Sequence, residues 1–206
     1  MSSRINYAKL YTLRSDGRYQ GKYKDADGNV VGDNETHEND DTAIFTSCTG
    51  ATTIDLAKHV SIGNIVVRGA DAPKFTFGTS SSQVLLIKTP SATGEANAHQ
   101  FLVEDSVVRA PEIVATAWLA ENRKSDVWVK VVNNSSDTLI LNDIKSQWTN
   151  AEFGGSAYGV RILLGGTGPI SVNGVFSSNS NYVLWSTRIY IGTAAGVTFN
   201  KSFSFT

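Results

Sequence analysis

The 206-residue chain has little of what commonly carries covalent chemistry or a membrane anchor. Its single cysteine, Cys48, excludes an intramolecular disulfide framework, and no Cys/His spacing indicates a zinc site. We interpret Cys48 as a small buried apolar side chain. No apolar run approaches the roughly eighteen residues of a membrane-spanning helix, so we expect no transmembrane segment. The first residues lack the apolar region of a secretory signal, and we expect no signal peptide.

Charge is scarce and nearly balanced. Eighteen basic and nineteen acidic residues give a net charge of -1, and the basic residues are spread along the sequence, so we expect no nucleic-acid partner. No Asp or Glu follows Glu152, so the last quarter cannot contribute to a paired-carboxylate site. A polysaccharide hydrolase or lyase would have to combine distant residues such as Asp105, Asp126 and Asp143.

The other common catalytic patterns are also missing. None of the three histidines, His37, His59 and His99, lies near a Gly-x-Ser-x-Gly elbow, and the run 154–159 is one residue too long for that motif. The glycines of 165–169 are followed by proline and a predicted strand, which indicates a turn and not a phosphate-binding loop. The sequence therefore favours a noncatalytic protein with no catalytic residues, metal or cofactor, although hydrolytic activity stays an alternative.

The first 41 residues differ from the rest. In residues 18–32, an alternating pattern of side chains accompanies an Asp-Ala-Asp-Gly-Asn turn, and the combination predicts a β-hairpin. The run 33–41 contains five carboxylates and should be solvated. A calcium loop at 25–29 is disfavoured, because its glycine falls at the fourth position and no glutamate follows at the twelfth. We predict an attachment segment at 1–41, comprising this hairpin and acidic loop, and an all-β body at 42–206.

Short apolar or alternating runs separated by Gly, Ser, Asn and Asp follow one another through the body. They predict strands at 53–56, 60–68, 74–78, 83–88, 100–108, 126–133, 138–144, 158–164, 169–176, 182–191 and 196–205. One helix is predicted over 111–124, where proline begins a segment rich in helix-forming residues. One helix among so many strands indicates an all-β protein.

Two all-β architectures fit this pattern. An antiparallel sandwich or jelly roll would join its strands by hairpins, whereas a right-handed parallel β-helix would turn corners of one or two residues. The second is favoured because an apolar-x-x-apolar unit with Asn, Gly or Asp between recurs with no room for a hairpin. The unit occurs at 62–65, 141–144 and 172–175. Its spacings of 79 and 31 residues share no clean period.

The segment 38–56 resembles the opening of the pectate-lyase-like β-helices of phage tailspikes and related carbohydrate-active proteins. The matching residues are Asp40, Asp41, Thr42, Ala43 and Ile44, followed by the run 64–70. In that family such a motif commonly starts the solenoid, so the resemblance implies a right-handed β-helix. The chain departs from the family at Phe45 and Cys48, where an amphipathic helix would continue, and it lacks the family's Gly-Gly strand.

The segment 126–148 resembles a second family, the aegerolysin-type β-sandwich cytolysins. The shared features are a Val-x-Val-x-Asn-Asn-Ser run and a following Thr-Leu-x-Leu run. This resemblance implies a membrane-lipid-binding protein of the pore-forming class. The Pro-rich and Gly-rich segments that follow in that family are missing here.

The second half is poor in charge and rich in Ser, Thr, Asn, Gly, Tyr and Trp, a mixture suited to sugar contacts and to subunit contacts. We predict a structural or receptor-binding component of a phage-like tail or virion that contacts host cell-surface glycans. We expect a homo-oligomer, with a trimer as one option, or a larger assembly, located in the virion or released outside the cell. The predicted ligand-binding residues are Trp128, Trp148, Tyr182 and Trp185.

Overall fold

A computed structural model covers the chain and shows an all-β protein. It describes residues 11–13, 19–21, 23–24, 30–32, 42–46, 53–56, 59–87, 95–96, 98–122, 127–148, 160–179 and 188–205. Every regular element within these ranges is a β-strand. They therefore contain no helix that is long and apolar enough to cross a membrane.

Eighteen of the described strands form three sheets that the chain visits in turn. The first sheet contains β5 (Thr42–Phe45), β8 (Asn64–Val67), β11 (His99–Val103), β14 (Val127–Asn133), β17 (Val160–Gly166) and β20 (Arg188–Thr193). The second contains β6 (Thr53–Ile54), β9 (Thr76–Phe77), β12 (Glu112–Ile113), β15 (Leu139–Leu141), β18 (Ile170–Val172) and β21 (Val197–Phe199). The third contains β7 (His59–Ile62), β10 (Val84–Ile87), β13 (Thr116–Asn122), β16 (Ile144–Trp148), β19 (Phe176–Asn179) and β22 (Phe203–Phe205).

All neighbouring strands in these three sheets run parallel. Each set of three consecutive strands therefore makes one coil, and six coils stack on one another. This winding is consistent with a parallel β-helix-like fold. The alternative of an antiparallel sandwich or jelly roll is not supported, because parallel neighbours cannot be joined by the short hairpins that such folds use.

Four short strands precede the stack. The pair β1 (Tyr11–Leu13) and β2 (Tyr19–Gly21) is antiparallel, as is the pair β3 (Tyr23–Lys24) and β4 (Val30–Gly32). The second pair flanks residues 25–29, where the sequence predicts a hairpin turn. The prediction that 1–41 is a separate attachment segment stays a prediction, and its acidic run 33–41 lies outside the described residues.

The predicted helix over 111–124 is wrong. The structure has strands β12 and β13 in this region. Ile113, Ala115, Ala117 and Leu119 are buried, and the residues between them are partly exposed, so burial alternates with a period of two. That is the period of a strand, and it outweighs the helix propensity of alanine, leucine and glutamate because burial against the coil interior decides the local conformation.

The interior is filled by side chains that stack in register from coil to coil. One column of paired positions runs through Ile54, Phe77, Ile113, Leu141 and Val172 in the second sheet. Aromatic rings concentrate in the first coils and in the last two. Phe77 meets Phe45 and Phe101 edge to face, with ring centroids 5.0 and 5.4 Å apart, while Phe203 contacts Phe176 and Phe199. Aliphatic side chains fill the middle.

The recurring apolar-x-x-apolar unit marks corners of the coil, but not always the same corner. The units at 141–144 and 172–175 both join the second sheet to the third, and their 31-residue spacing is the length of one coil. The unit at 62–65 joins the third sheet to the first. Coil length also varies, because paired positions in the first sheet are separated by 36, 30, 33 and 27 residues after Ile65. Both facts explain why the sequence shows no fixed period.

Asparagines occupy equivalent corner positions in the last three coils. Asn142, Asn173 and Asn200 each follow the last residue of a second-sheet strand. The Asn200 side chain donates a hydrogen bond to Oδ1 of Asn173 at 2.7 Å, which is one step of the asparagine ladder that stacked coils allow. Asn142 instead donates to the carbonyl of Val114 in the coil below, at 3.0 Å. These bonds join neighbouring coils outside the sheets.

A buried polar network holds the corner between the first and second sheets. Asn133 is fully buried, and its side-chain amide donates to the carbonyls of Asp137 and Pro169 at 2.8 and 2.7 Å. Its Oδ1 accepts a hydrogen bond from the backbone of Ser135. The Ser135 hydroxyl, also buried, donates to the carbonyl of Val107 in the preceding coil. Three successive coils are therefore connected through two side chains.

The two ends of the stack differ. In the first coil, the inward-facing Ala43 and Phe45 are buried. In the last coil, Ile191 is 57% exposed and Phe203 is 44% exposed, although both continue interior columns of the coils below. Within the described residues the edges of β20, β21 and β22 have no further strand beside them. The interior side chains named here are therefore shielded from solvent in the first coil, whereas the other end of the stack is open.

Candidate binding surface on the first sheet

Of the four residues predicted to bind a ligand, Trp128 is the one whose side chain the structure describes. It lies in β14, where Val129 and Val131 point into the core, so Trp128 faces outward. Trp148 is the last residue of β16 and pairs with Asn122 in the backbone register. Tyr182 and Trp185 lie outside the described residues.

The indole of Trp128 makes two ring contacts on the outer face. Tyr190 stacks on it, with centroids 5.0 Å apart and planes inclined by 27°. The Arg161 guanidinium lies 5.3 Å from the centroid of the same indole, within the range of a cation–π interaction. These contacts join residues of the fourth, fifth and sixth coils.

The parallel register explains why residues so distant in sequence meet. Trp128 pairs with Arg161 on the next strand, and Arg161 pairs with Arg188 on the last strand of the sheet. Directly opposite residues on neighbouring strands have their side chains about 5 Å apart. Lys130 and Tyr190 flank this column, since Lys130 pairs with Leu163 and Leu163 with Tyr190.

The surface is cationic in a chain whose net charge is -1. Trp128, Lys130, Arg161, Arg188 and Tyr190, called the Trp128 patch below, include three cations and no carboxylate. Within the strand residues that the structure describes, the outward positions of the first sheet contain no Asp or Glu either. They are Thr42, Ile44, Asn64, Val66, Gln100, Leu102, Trp128, Lys130, Val132, Arg161, Leu163, Gly165, Arg188, Tyr190 and Gly192.

Sequence reasoning finds Trp128 but misses the other four members of the patch. A signal was present, because alternation within 127–133, 160–166 and 188–193 assigns each of them to the face opposite the apolar residues. The pairing of these three strands could not be predicted from the sequence, because the segments between them differ in length. The clustering of positive charge therefore appears only in the folded chain.

The candidate acids of a hydrolase lie apart in the fold. Asp105 lies in the corner between the first and second sheets, and Asp143 lies in the corner between the second and third. Asp143 accepts a hydrogen bond from the backbone of Val175 at 2.8 Å, a contact between neighbouring coils. Asp126 lies outside the described residues. Gly165 and Gly166 end strand β17, and residues 167–169 connect it to strand β18, as expected for a turn.

A second aromatic and cationic contact lies on the third sheet. The Lys145 ammonium lies 5.4 Å from the ring centroid of Trp118, its register partner on the neighbouring strand. The indole N–H of Trp118 is buried and has no hydrogen-bond partner in the described part of the chain. This pair lies on a different sheet from the Trp128 patch and is a separate feature.

Comparison of the chain with protein-family models, with curated proteins and with solved structures gives no match. The class of protein that the structure defines is an all-β chain of stacked coils with three parallel sheets. The resemblances to tailspike β-helices and to aegerolysin-type cytolysins stay predictions.

Proposed function

We propose that the protein is a noncatalytic structural or receptor-binding component of a phage-like tail or virion, built on a right-handed parallel β-helix. In this role it works as a homo-oligomer, such as a trimer, or within a larger assembly. It contacts host cell-surface glycans and is found in the virion or outside the cell after release.

The observation that carries the proposal is the position of the tailspike-like motif. Thr42, Ala43 and Ile44 lie in β5, the first strand of the first coil. The following run from Asn64 begins β8, which pairs with β5 in the second coil. A motif that commonly starts the solenoid in tailspikes therefore begins the coil stack here. The chain still departs from the tailspike family at Phe45, because Phe45 is the last residue of a strand and not part of a helix.

The outer surface supports the receptor-binding part of the proposal. Tyr190 is 36% exposed and stacks on Trp128 at the side of the coil stack. Aromatic rings on a rigid sheet suit the apolar faces of sugar rings, and they lose little conformational entropy on binding. The sheet also fixes the spacing of these rings, because three consecutive strands hold them in register.

Solution mass and shape test the proposal most directly. Light scattering combined with small-angle X-ray scattering on the full chain should give an elongated oligomer, with a mass that is a multiple of 22.2 kDa. A compact monomer would contradict the assembly role. Binding to host cells or to their isolated surface glycans then tests the receptor role, with Trp128→Ala as the variant expected to weaken it.

The cytolysin and polysaccharide lyase or hydrolase alternatives have no specific observation in their favour. The two runs that resemble the cytolysin family lie in β14 and β15, which belong to different sheets. Leakage from liposomes would identify a cytolysin. Loss of polysaccharide viscosity that is abolished by Asp105→Ala would identify an enzyme.

A further inference from the structure

We propose that Asn173 is a site of spontaneous deamidation, in which the backbone nitrogen of Gly174 attacks the side-chain amide and leaves aspartate or isoaspartate at position 173. Asn173 lies in the corner between β18 and β19, where it forms part of the asparagine ladder. This inference goes beyond the proposed function, because it concerns a change in the chain itself and holds whatever the protein binds.

Gly174 leaves the attacking nitrogen unhindered, because it carries no side chain. Asn173 and Gly174 form the one Asn-Gly pair in the sequence. The corner requires glycine at this position, since a Cβ on residue 174 would overlap Asp143 in the preceding coil. The Gly174 N–H donates to the Asn142 carbonyl at 3.3 Å, a long hydrogen bond that holds the nitrogen weakly. The packing of neighbouring coils therefore places the least hindering residue after this asparagine.

Two hydrogen-bond donors converge on the side-chain oxygen of Asn173. Its Oδ1 accepts from the Ser171 hydroxyl and from the Asn200 side-chain amide, each at 2.7 Å. The Asn200 amide also donates to the Ser171 oxygen at 3.0 Å, which directs the hydroxyl proton of Ser171 toward Asn173. Attack on Cγ moves negative charge onto Oδ1, so both bonds strengthen as the tetrahedral intermediate forms. The ladder thus stabilises the intermediate more than the starting amide.

The other two asparagines at equivalent corners lack this combination. The Asn142 side chain donates to the Val114 carbonyl, and the next residue is an aspartate. Asn200 acts as a donor within the ladder, and the next residue is a lysine. In both places a side chain on the following residue hinders its backbone nitrogen. Of the three corner positions, the structure therefore favours modification at Asn173.

The reaction needs no partner other than water. The Gly174 nitrogen loses its proton to a base from solvent and bonds to Cγ of Asn173. The Cγ–Nδ2 bond then breaks, and the amide nitrogen takes a proton from solvent and leaves as ammonia. Water reaches the resulting succinimide ring because residue 173 is exposed. Hydrolysis at one ring carbonyl gives aspartate, and hydrolysis at the other gives isoaspartate.

The two products have different effects on the stack. Aspartate keeps the ladder, because Ser171 and Asn200 then donate to a carboxylate oxygen, and a charged acceptor strengthens such bonds. Isoaspartate adds a methylene group to the main chain at the corner, which shifts β19 relative to β18. Either product places a carboxylate in a part of the sequence that has none after Glu152.

The test incubates the full-length chain at physiological pH and temperature and follows each asparagine by peptide mass spectrometry. We expect acid to accumulate at position 173 while Asn142 and Asn200 stay amides. The rate should rise from mildly acidic to mildly alkaline pH, because the attacking group is the deprotonated nitrogen. Fragmentation of the modified peptide distinguishes isoaspartate from aspartate.

Ser171→Ala and Asn200→Ala each remove one donor to Oδ1, and we expect each to slow deamidation by about fivefold, the usual net worth of one hydrogen bond. Ser171→Thr keeps the hydroxyl and should restore the rate to within about twofold of the unchanged chain. Ser177→Ala is the matched control, because it changes a partly exposed serine of β19 in the same coil. Circular dichroism of each variant checks that the sheets are retained.

Three results would overturn the inference. They are an amide that persists at position 173, modification of Asn142 or Asn200 at the same rate, or the same rate in Ser171→Ala as in Ser177→Ala. None of these results depends on the solution mass or on glycan binding. Failure of this site can therefore be distinguished from failure of the assembly or receptor role.

Discussion

Replacing Asn133 by alanine should be among the most destabilising single changes at a polar position of this chain. Asn133 is fully buried at the end of an interior column. Its side chain makes three hydrogen bonds, to the carbonyls of Asp137 and Pro169 and to the backbone N–H of Ser135. Alanine removes all three and leaves a small void.

The expected decrease in the free energy of unfolding depends on which groups lose their hydrogen-bond partner. The Pro169 carbonyl keeps a hydrogen bond from the N–H of Leu139, so it does not become an unsatisfied acceptor. The Asp137 carbonyl loses the hydrogen bond that Asn133 donates to it, and the Ser135 N–H loses its acceptor, Asn133 Oδ1. An unsatisfied buried group costs about 1–3 kcal/mol. The buried Ser135 N–H, the partly exposed Asp137 carbonyl and the void together give about 2–4 kcal/mol, a large part of the 5–15 kcal/mol that typically stabilises a domain.

Urea unfolding followed by tryptophan fluorescence or circular dichroism measures this loss. Asn134→Ala is the matched control, since it removes the adjacent, partly exposed amide and leaves the Asn133 bonds in place. If Asn133→Ala lowered the unfolding free energy by less than about 1 kcal/mol, or no more than the control, the network would not hold the coils together as argued. Asn133→Asp should also be destabilising, because a carboxylate cannot donate to the two carbonyls.

Three further outcomes are expected. Gly166→Ala should be far more destabilising than Gly69→Ala in urea unfolding. Both glycines have positive φ, but a Cβ at Gly166 overlaps the Asn133 carbonyl and one at Gly69 meets nothing within 4 Å, so similar losses would contradict the packing. Phe77→Ala should lower the unfolding free energy by about 3–5 kcal/mol, since the ring is fully buried between two others; a loss near 1 kcal/mol would show that the ring stack is wrong. In native-state hydrogen exchange, amides of β20 should exchange faster than those of β14, because β20 is an edge strand at the open end, and the reverse order would contradict that assignment.

Much of the fold could be predicted from the sequence, because buried side chains recur at a regular spacing along each strand. The alternation in 127–133 and 160–166 predicts strands whose structural bounds differ by only a few residues. The long predicted strands 60–68, 169–176 and 196–205 are each two strands in the structure, separated by a corner. A corner of one to three residues keeps the apolar pattern nearly continuous, so periodicity alone does not show the change of sheet.

The helix prediction failed for a related reason. In the region 111–124, the small residues Ala115 and Ala117 are good helix formers, yet they occupy inward positions next to the larger Ile113 and Leu119. Propensity is a local preference worth less than about 1 kcal/mol per residue, whereas burying an apolar side chain contributes more. The candidate site could not be predicted from local sequence patterns either, because Arg161 and Arg188 come together only through the pairing of strands.

The uneven coil lengths have a consequence for how such a chain can change over generations. Connections from the third sheet to the first range from one residue, between β7 and β8, to eleven, between β10 and β11 and again between β16 and β17. Connections from the first sheet to the second range from three to eight residues, and those from the second sheet to the third never exceed six. Insertions are therefore tolerated most along the edge between the third and first sheets, where they leave the interior columns in register. Trp148, Tyr182 and Trp185 lie in or beside these variable connections in the sequence. That edge can diversify while the scaffold stays constant.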